Sequence, residues 1–76
     1  MNEEVLNNDI KSNSEKIIGL LKELKKTSSW EIKIKLGLTS SMLYMALGHL
    51  IAEKKISVYL KDLIYIVELS ENPEIQ

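Results

Sequence analysis

Apolar residues at helical spacing predict two amphipathic helices in this chain. Ser12 and Glu15 have the spacing of a capping box, and they precede a stripe of apolar residues on one helix face: Ile17, Ile18, Leu20, Leu21 and Leu24. Thr39 is a favourable N-cap, and it precedes a second stripe formed by Leu43, Ala46, Leu47, Leu50 and Ile51. We therefore predict helices over residues 13–26 and 39–54.

The segment between these helices carries two conflicting patterns. Trp30–Leu36 alternates apolar and polar residues with a period of two, which is typical of a strand. Ser28 and Glu31, however, repeat the capping-box spacing, and Gly37 stands where a helix C-cap is expected. We favour a short helix over residues 29–36 and keep a strand as the alternative.

The last third of the chain changes to a period of two. Apolar and polar residues alternate over residues 56–60 and again over residues 63–69, on either side of Lys61 and Asp62. The pattern predicts a two-stranded β-hairpin with Lys61 and Asp62 at its tip. Because an isolated hairpin is only marginally stable, we expect it to lie against the three helices.

The order helix, helix, turn, helix and hairpin resembles a winged helix-turn-helix domain. The tight turn Leu36-Gly37-Leu38-Thr39 and the spaced leucines that follow it carry this resemblance. More narrowly, the segment Met42–Ile56 resembles a small family of uncharacterised bacterial winged-helix proteins. The resemblance covers roughly residues 13–70. It implies an α+β fold with a three-helix core and a C-terminal two-stranded β-hairpin wing, and it implies a link to gene regulation.

The length and composition leave room for one small domain. In a chain of 76 residues, we expect a domain over residues 13–70, a flexible N-terminal arm over residues 1–12 and a polar tail over residues 71–76. There is no cysteine, which excludes disulfides and thiolate metal sites. No apolar run approaches the roughly 20 residues of a membrane span. We expect a cytoplasmic protein that makes no contact with a membrane.

The residue types give no indication of catalysis. His49 is the single histidine, and we expect it to have no Asp, Glu or Cys partner of the kind that a catalytic or metal site needs. Gly19, Gly37 and Gly48 are isolated, so there is no glycine-rich phosphate loop. We therefore expect no enzyme activity, no cofactor, no metal and no small-molecule ligand.

Positive charge is concentrated in part of the chain. The net charge is −1, with ten lysines and no arginine, but residues 16–35 carry six lysines against two glutamates. If the domain binds a polyanion, the expected phosphate contacts are Lys25, Lys26, Lys33, Lys35, Lys54, Lys55 and Lys61. Contacts of this kind provide affinity without sequence discrimination.

The helix predicted over residues 39–54 is the expected contact surface. Its outward positions are Ser40, Ser41, Tyr44, Met45, Gly48 and His49. In winged-helix DNA binders the corresponding helix enters the major groove, where Arg, Lys, Asn and Gln recognise bases, but none of these types occurs from Ser40 to Glu53. Three hypotheses stay open. The domain is a module that binds duplex DNA or is otherwise associated with transcription, a protein–protein interaction module, such as a homodimer, that uses the uncharged face of this helix, or a purely structural or degenerate domain.

Overall fold

Three helices and a three-stranded antiparallel sheet make up the structure, a computed structural model that describes residues 3–70, with side chains from residue 8 onward. In chain order the elements are α1 (Glu3–Leu24), β1 (Lys26–Ser28), α2 (Ser29–Leu36), α3 (Ser40–Ala52), β2 (Ile56–Lys61) and β3 (Ile64–Leu69). The strand order is β1-β3-β2, so β3 is central and β2 forms one edge. Three helices followed by a hairpin are the predicted α+β arrangement. The predicted tail, residues 71–76, lies outside the described residues.

The first helix begins earlier than predicted. Because α1 starts at Glu3, residues 3–12, which we expected to form a flexible arm, are helical, and Ser12 lies inside the helix instead of capping it. The buried face of α1 includes Asn13 and Ser14, which are buried although they are polar. The predicted start at residue 13 is wrong, because the buried face continues back from the apolar stripe through these two polar residues. The helix ends at Leu24, two residues before its predicted end.

A short strand that the sequence did not indicate leads directly into α2. The three residues of β1 pair with β3, and its last residue, Ser28, also caps α2 by accepting a hydrogen bond from the backbone N–H of Glu31 at 3.0 Å. Gly37 ends the helix with a φ of 64°. The helix predicted over residues 29–36 is confirmed, and the strand alternative is wrong. The sequence of this segment alternates with a period of two because Trp30 and Ile34 are apolar although they are exposed on the helix.

The expected N-cap begins α3. The side-chain hydroxyl of Thr39 accepts a hydrogen bond from the backbone N–H of Met42 at 3.1 Å. The predicted cap is confirmed, and the helix ends at Ala52, two residues before its predicted end. Lys54 then adopts a φ of 61°, and the chain turns into β2.

The core lies where the three helices meet the inner face of the sheet. Its buried apolar residues are Ile17, Leu21, Ile32, Leu43, Ala46, Leu47, Leu50, Ile56 and Val67. Ile18 and Leu20 are only partly buried, and Ile51 is exposed. The buried face of α1 and that of α3 are therefore narrower than the apolar stripes that predicted these helices.

The hairpin forms as predicted, but its tip is shifted by one residue. The turn residues are Asp62 and Leu63, with φ values of 52° and 67°, and Lys61 pairs with Ile64 as the last pair of the ladder. Positive φ at both central residues is what a two-residue type I′ turn requires. The predicted tip at Lys61 and Asp62 is therefore wrong. The alternation itself is retained, because Val58 lies opposite Val67 on the core face.

Candidate functional site

The solvent face of α3 carries no Lys, Arg, Asp or Glu, and the opposite face of the helix packs into the core. The structure places all the predicted contact residues on or beside the solvent face: Ser40, Ser41, Tyr44, Met45, Gly48 and His49. Tyr44 is 52% exposed and Met45 is 37% exposed, whereas His49 is half-buried. Beyond the neighbouring backbone of α3, a Cβ atom added at Gly48 would meet no atom within 4 Å. The centre of this face is therefore open to a partner surface.

Two grooves flank the exposed face of α3. The hairpin groove, between α3 and the β2–β3 hairpin, has a volume of about 500 Å³ and is lined by Tyr44, Leu47, Gly48, Ile51, Val58 and Tyr65. The helix groove, between α1 and α3, has a volume of about 1010 Å³ and includes Met45 and His49 in its lining. The exposed face of α3 thus lies between the hairpin groove, which has no charged lining residue, and the helix groove, which has several.

The helix groove contains charges of both signs. Its charged lining residues are Lys11, Lys22, Lys55, Glu15 and Glu53. Oε1 of Glu53 lies 3.6 Å from Nε2 of His49 and 3.5 Å from Nζ of Lys55. Glu53 is a neighbour of His49 because it follows at i+4 on the same helix face, and this exposed pair does not test the expectation that His49 lacks a catalytic or metal-site partner. These side chains are substantially exposed, so each pair contributes little to stability.

Three of the lysines predicted to contact phosphate lie beside carboxylates. Nζ of Lys35 is 3.8 Å from Oε2 of Glu31, one helical turn away on α2. Lys26 is the cross-strand partner of Glu68, so opposite charges face each other on the sheet. Lys55 lies beside a carboxylate of the helix groove. The positive charge of these three lysines is therefore partly offset by neighbouring acidic groups.

The other four predicted lysines have different surroundings. Nζ of Lys33 lies 5.9 Å from the ring centre of Trp30, at the distance of a cation–π contact. Lys25, Lys54 and Lys61 are exposed, the first two just after α1 and α3 and the third at the end of β2. The seven lysines are thus spread over several elements, and only Lys55 lines a groove beside α3.

Residues 1–69 match the family described as winged helix-turn-helix domain (DUF2582). The chain belongs to this family. Its membership confirms the resemblance and the winged-helix fold predicted from the sequence. Comparison with curated proteins and with solved structures gave no significant match.

By its place in the winged-helix order, α3 is the second helix of the helix-turn-helix and the β2–β3 hairpin is the wing. Among the residues described, no group of three or more His, Cys, Asp or Glu side chains could hold a metal ion. No single helix of residues 3–70 is long and apolar enough to cross a membrane, and α2 and α3 reach that length and composition only as a pair bent by 118°.

Sequence reasoning missed two lysines of the helix groove. Lys11 and Lys22 are about three helical turns apart, and Glu15 and Ile18 lie between them on the same face of α1. The spacing in the sequence places these residues on one helix face, but only if the predicted helix begins before Lys11. The incorrect helix start at residue 13 therefore also hid this face of α1.

Proposed function

We propose that this winged helix domain is a transcription-associated module that binds duplex DNA mainly through the phosphate backbone and discriminates little between base sequences. The observation that carries the proposal is the exposure of α3 beside the wing, in a chain of the winged helix-turn-helix family. The first turn of α3 offers backbone N–H groups and the hydroxyls of Ser40 and Ser41. Donors at a helix N-terminus suit a phosphate group.

Weak base discrimination follows from the side chains that α3 presents. Bidentate contacts to guanine or adenine need Arg, Lys, Asn or Gln, and none of these occurs from Ser40 to Glu53. The hydroxyl of Tyr44 can donate to a phosphate, and its ring can contact a thymine methyl group. Affinity then depends on exposed lysines such as Lys54 and Lys61, which neutralise phosphates of any sequence.

Fluorescence anisotropy with two unrelated duplexes, measured over a series of salt concentrations, tests this proposal. We expect similar affinities for both duplexes and a linear fall of log K with log salt, by about 0.9 for each phosphate neutralised. Lys61→Gln should reduce the slope by about 0.9. Lys16→Gln, which removes an exposed α1 lysine outside the predicted contacts, is the matched control and should leave the slope unchanged.

Two results would contradict the proposal in different ways. If neither duplex binds at low salt, the domain is not a DNA-binding module. If one duplex binds about a hundredfold more tightly than the other, base contacts are being made that α3 is not equipped to make, and the claim of weak discrimination is wrong.

A second candidate is a protein–protein interaction through the same uncharged face of α3. It is supported by Tyr44, Met45 and Ile51, which are large and exposed, because interface cores are depleted in charge and enriched in Tyr and Met. If the partner is a second copy, Tyr44→Glu should convert a dimer to a monomer in sedimentation equilibrium, while it only weakens DNA binding. A wild-type protein that is already monomeric would exclude the homodimer.

A further inference from the structure

The free edge of the sheet can be assigned residue by residue. β2 lies at the edge, with β3 on one side and no other strand of residues 3–70 on the other. The register pairs Ile56 with Leu69, and one step further the backbone N–H of Ser70 donates to the carbonyl of Lys55 at 3.0 Å. Lys55 and Ser70 therefore form a hydrogen-bonded pair of the antiparallel ladder.

This pair determines which backbone groups of β2 remain open. Hydrogen-bonded and non-hydrogen-bonded pairs alternate along an antiparallel ladder, so the odd-numbered residues of β2 bond to β3. The even-numbered residues, Ile56, Val58 and Leu60, turn their N–H and C=O groups to the free edge. Natural edge strands are usually protected by proline, charge or a bulge, but β2 has no charged residue before Lys61 and no proline.

The surface beside this edge is apolar. Val58 lines the hairpin groove together with Tyr44 and Gly48 of α3, and no charged residue lines that groove. Leu60 is 57% exposed, although it belongs to the face of the sheet that Val58 shares. An occupant of this edge must therefore be an extended strand that has unpaired backbone groups and presents apolar side chains at alternate positions.

We infer that the free edge of β2 binds the β2 strand of a second copy of this chain, in antiparallel orientation. A second β2 strand is such an occupant, because Ile56, Val58 and Leu60 have open backbone groups and are apolar residues at alternate positions. A two-fold axis presents the same groups from both copies. The contact is independent of DNA binding, and it differs from a dimer formed by the exposed face of α3.

Charge disfavours one of the registers that pair the open groups. When the two-fold axis passes beside Tyr59, Val58 of one copy lies opposite Leu60 of the other, so their open backbone groups meet. The two Tyr59 rings then lie side by side as a cross-strand aromatic pair. In this register Lys61 lies opposite Ser57. Pairing about Val58 would instead place Lys61 opposite Lys55 of the second copy, and like charges in that position are unfavourable.

Leu60→Pro tests the inference, because the N–H that it removes faces the free edge and not β3. Proline is tolerated on an edge strand in that position. Leu60→Ala is the matched control, since it truncates the same side chain but keeps the N–H. By sedimentation equilibrium we expect a wild-type dimer whose dissociation constant rises about tenfold or more in Leu60→Pro and less in Leu60→Ala. Circular dichroism and a cooperative thermal transition establish that each variant is folded.

Amide hydrogen exchange of the wild-type protein provides a second test that needs no variant. At high protein concentration the amides of Val58 and Leu60 should exchange slowly, and dilution should make them fast. The amides of Ser57 and Tyr59 bond to β3 and should be protected at both concentrations. A wild-type protein that is monomeric throughout, or amides of Val58 and Leu60 that exchange equally fast at both concentrations, would overturn the inference.

Met45→Glu separates this contact from a dimer formed by α3. Met45 lines the helix groove and not the hairpin groove, so its substitution should leave β2 pairing unchanged. If Met45→Glu abolishes the dimer and Leu60→Pro does not, the α3 face is the interface and the inference about β2 is wrong. DNA binding by the same variants is measured separately, so its failure would not bear on this result.

Discussion

The tip of the wing holds a leucine in a conformation that glycine adopts more easily. Asp62 and Leu63 have φ values of 52° and 67°, and Leu63 is 90% exposed. Two-residue hairpin turns of this type prefer Asn-Gly or Asp-Gly. An L-residue with a side chain in the left-handed region costs roughly 1–2 kcal/mol. Asp62 is thus a favoured residue at the first turn position. Leu63, at the second, is strained, and its exposed side chain makes too little packing contact to offset that strain.

Replacing Leu63 with glycine should therefore stabilise the domain. Relief of the left-handed strain contributes about 1–2 kcal/mol, and the greater freedom of glycine in the unfolded chain removes about 0.4–1 kcal/mol of that gain. Little apolar burial is lost, since the leucine side chain is almost fully exposed. The expected net gain is about 0.5–1 kcal/mol, which corresponds to a rise in Tm of roughly 2–8 °C for a domain of this size.

Thermal and urea denaturation followed by circular dichroism measure this change. Leu63→Ala is the control, because it removes the apolar side chain but keeps the Cβ atom that causes the strain. We expect its free energy of unfolding to stay within about 0.5 kcal/mol of the wild type. If Leu63→Gly is no more stable than Leu63→Ala, the turn is not strained at this residue, and the argument from φ is refuted.

For three other substitutions the structure predicts whether the free energy of unfolding rises or falls. Gly37→Ala should lower the free energy of unfolding by about 1 kcal/mol in urea denaturation, because φ is positive at the end of α2. Thr39→Ala should also lower it by about 1 kcal/mol, because it leaves the N–H of Met42 without its cap, and a Thr39→Asn variant that loses as much stability would contradict this reason. Ser14→Ala should raise it by about 1 kcal/mol, because the hydroxyl is buried with no hydrogen-bond partner among the described residues. The exposed Ser12→Ala should gain only the smaller helix-propensity term, and equal gains from both would refute the burial argument.

The elements that the sequence predicted correctly are those whose signals are local. The hydroxyl of Thr39 and the backbone freedom of Gly37 act within a few residues, and both lie where their spacing placed them. The short helix before Gly37 was correctly preferred over a strand, because its caps at both ends outweigh an alternation caused by two exposed apolar residues. Local chemistry was therefore a better guide here than periodicity alone.

The errors have physical causes beyond the local pattern. The start of α1 was misplaced because Asn13 and Ser14 are polar but buried, and burial depends on what packs against them. The strand β1 has three residues, too few to show a period, and it exists because it pairs with β3 about 40 residues later. The register of the wing was wrong by one residue because neither Lys61-Asp62 nor Asp62-Leu63 is a favoured turn sequence.

The candidate site was only half predictable for a similar reason. The outward positions of α3 follow from a period of 3.6 residues, and the structure places them on the exposed side. The neighbour of Lys26 follows from tertiary structure, because Glu68 is far away in sequence. The neighbours of Lys33, Lys35 and Lys55 lie within four residues of them, so these contacts are visible in the sequence.

The uncharged face of α3 and the free edge of β2 bear on one question, namely how a domain with little positive charge would hold DNA as we propose. With Lys26, Lys35 and Lys55 beside carboxylates, a single domain has few lysines left for phosphate, and non-specific binding of this kind has dissociation constants of about 10⁻⁴–10⁻⁶ M. Two domains joined along β2 would offer twice as many lysines and two copies of α3. If both reach one duplex, the avidity rises by about 10²–10⁴. If the domain binds DNA as proposed, pairing along β2 would add the contacts that a single uncharged α3 lacks, and the dimer would bind DNA more tightly than the single domain.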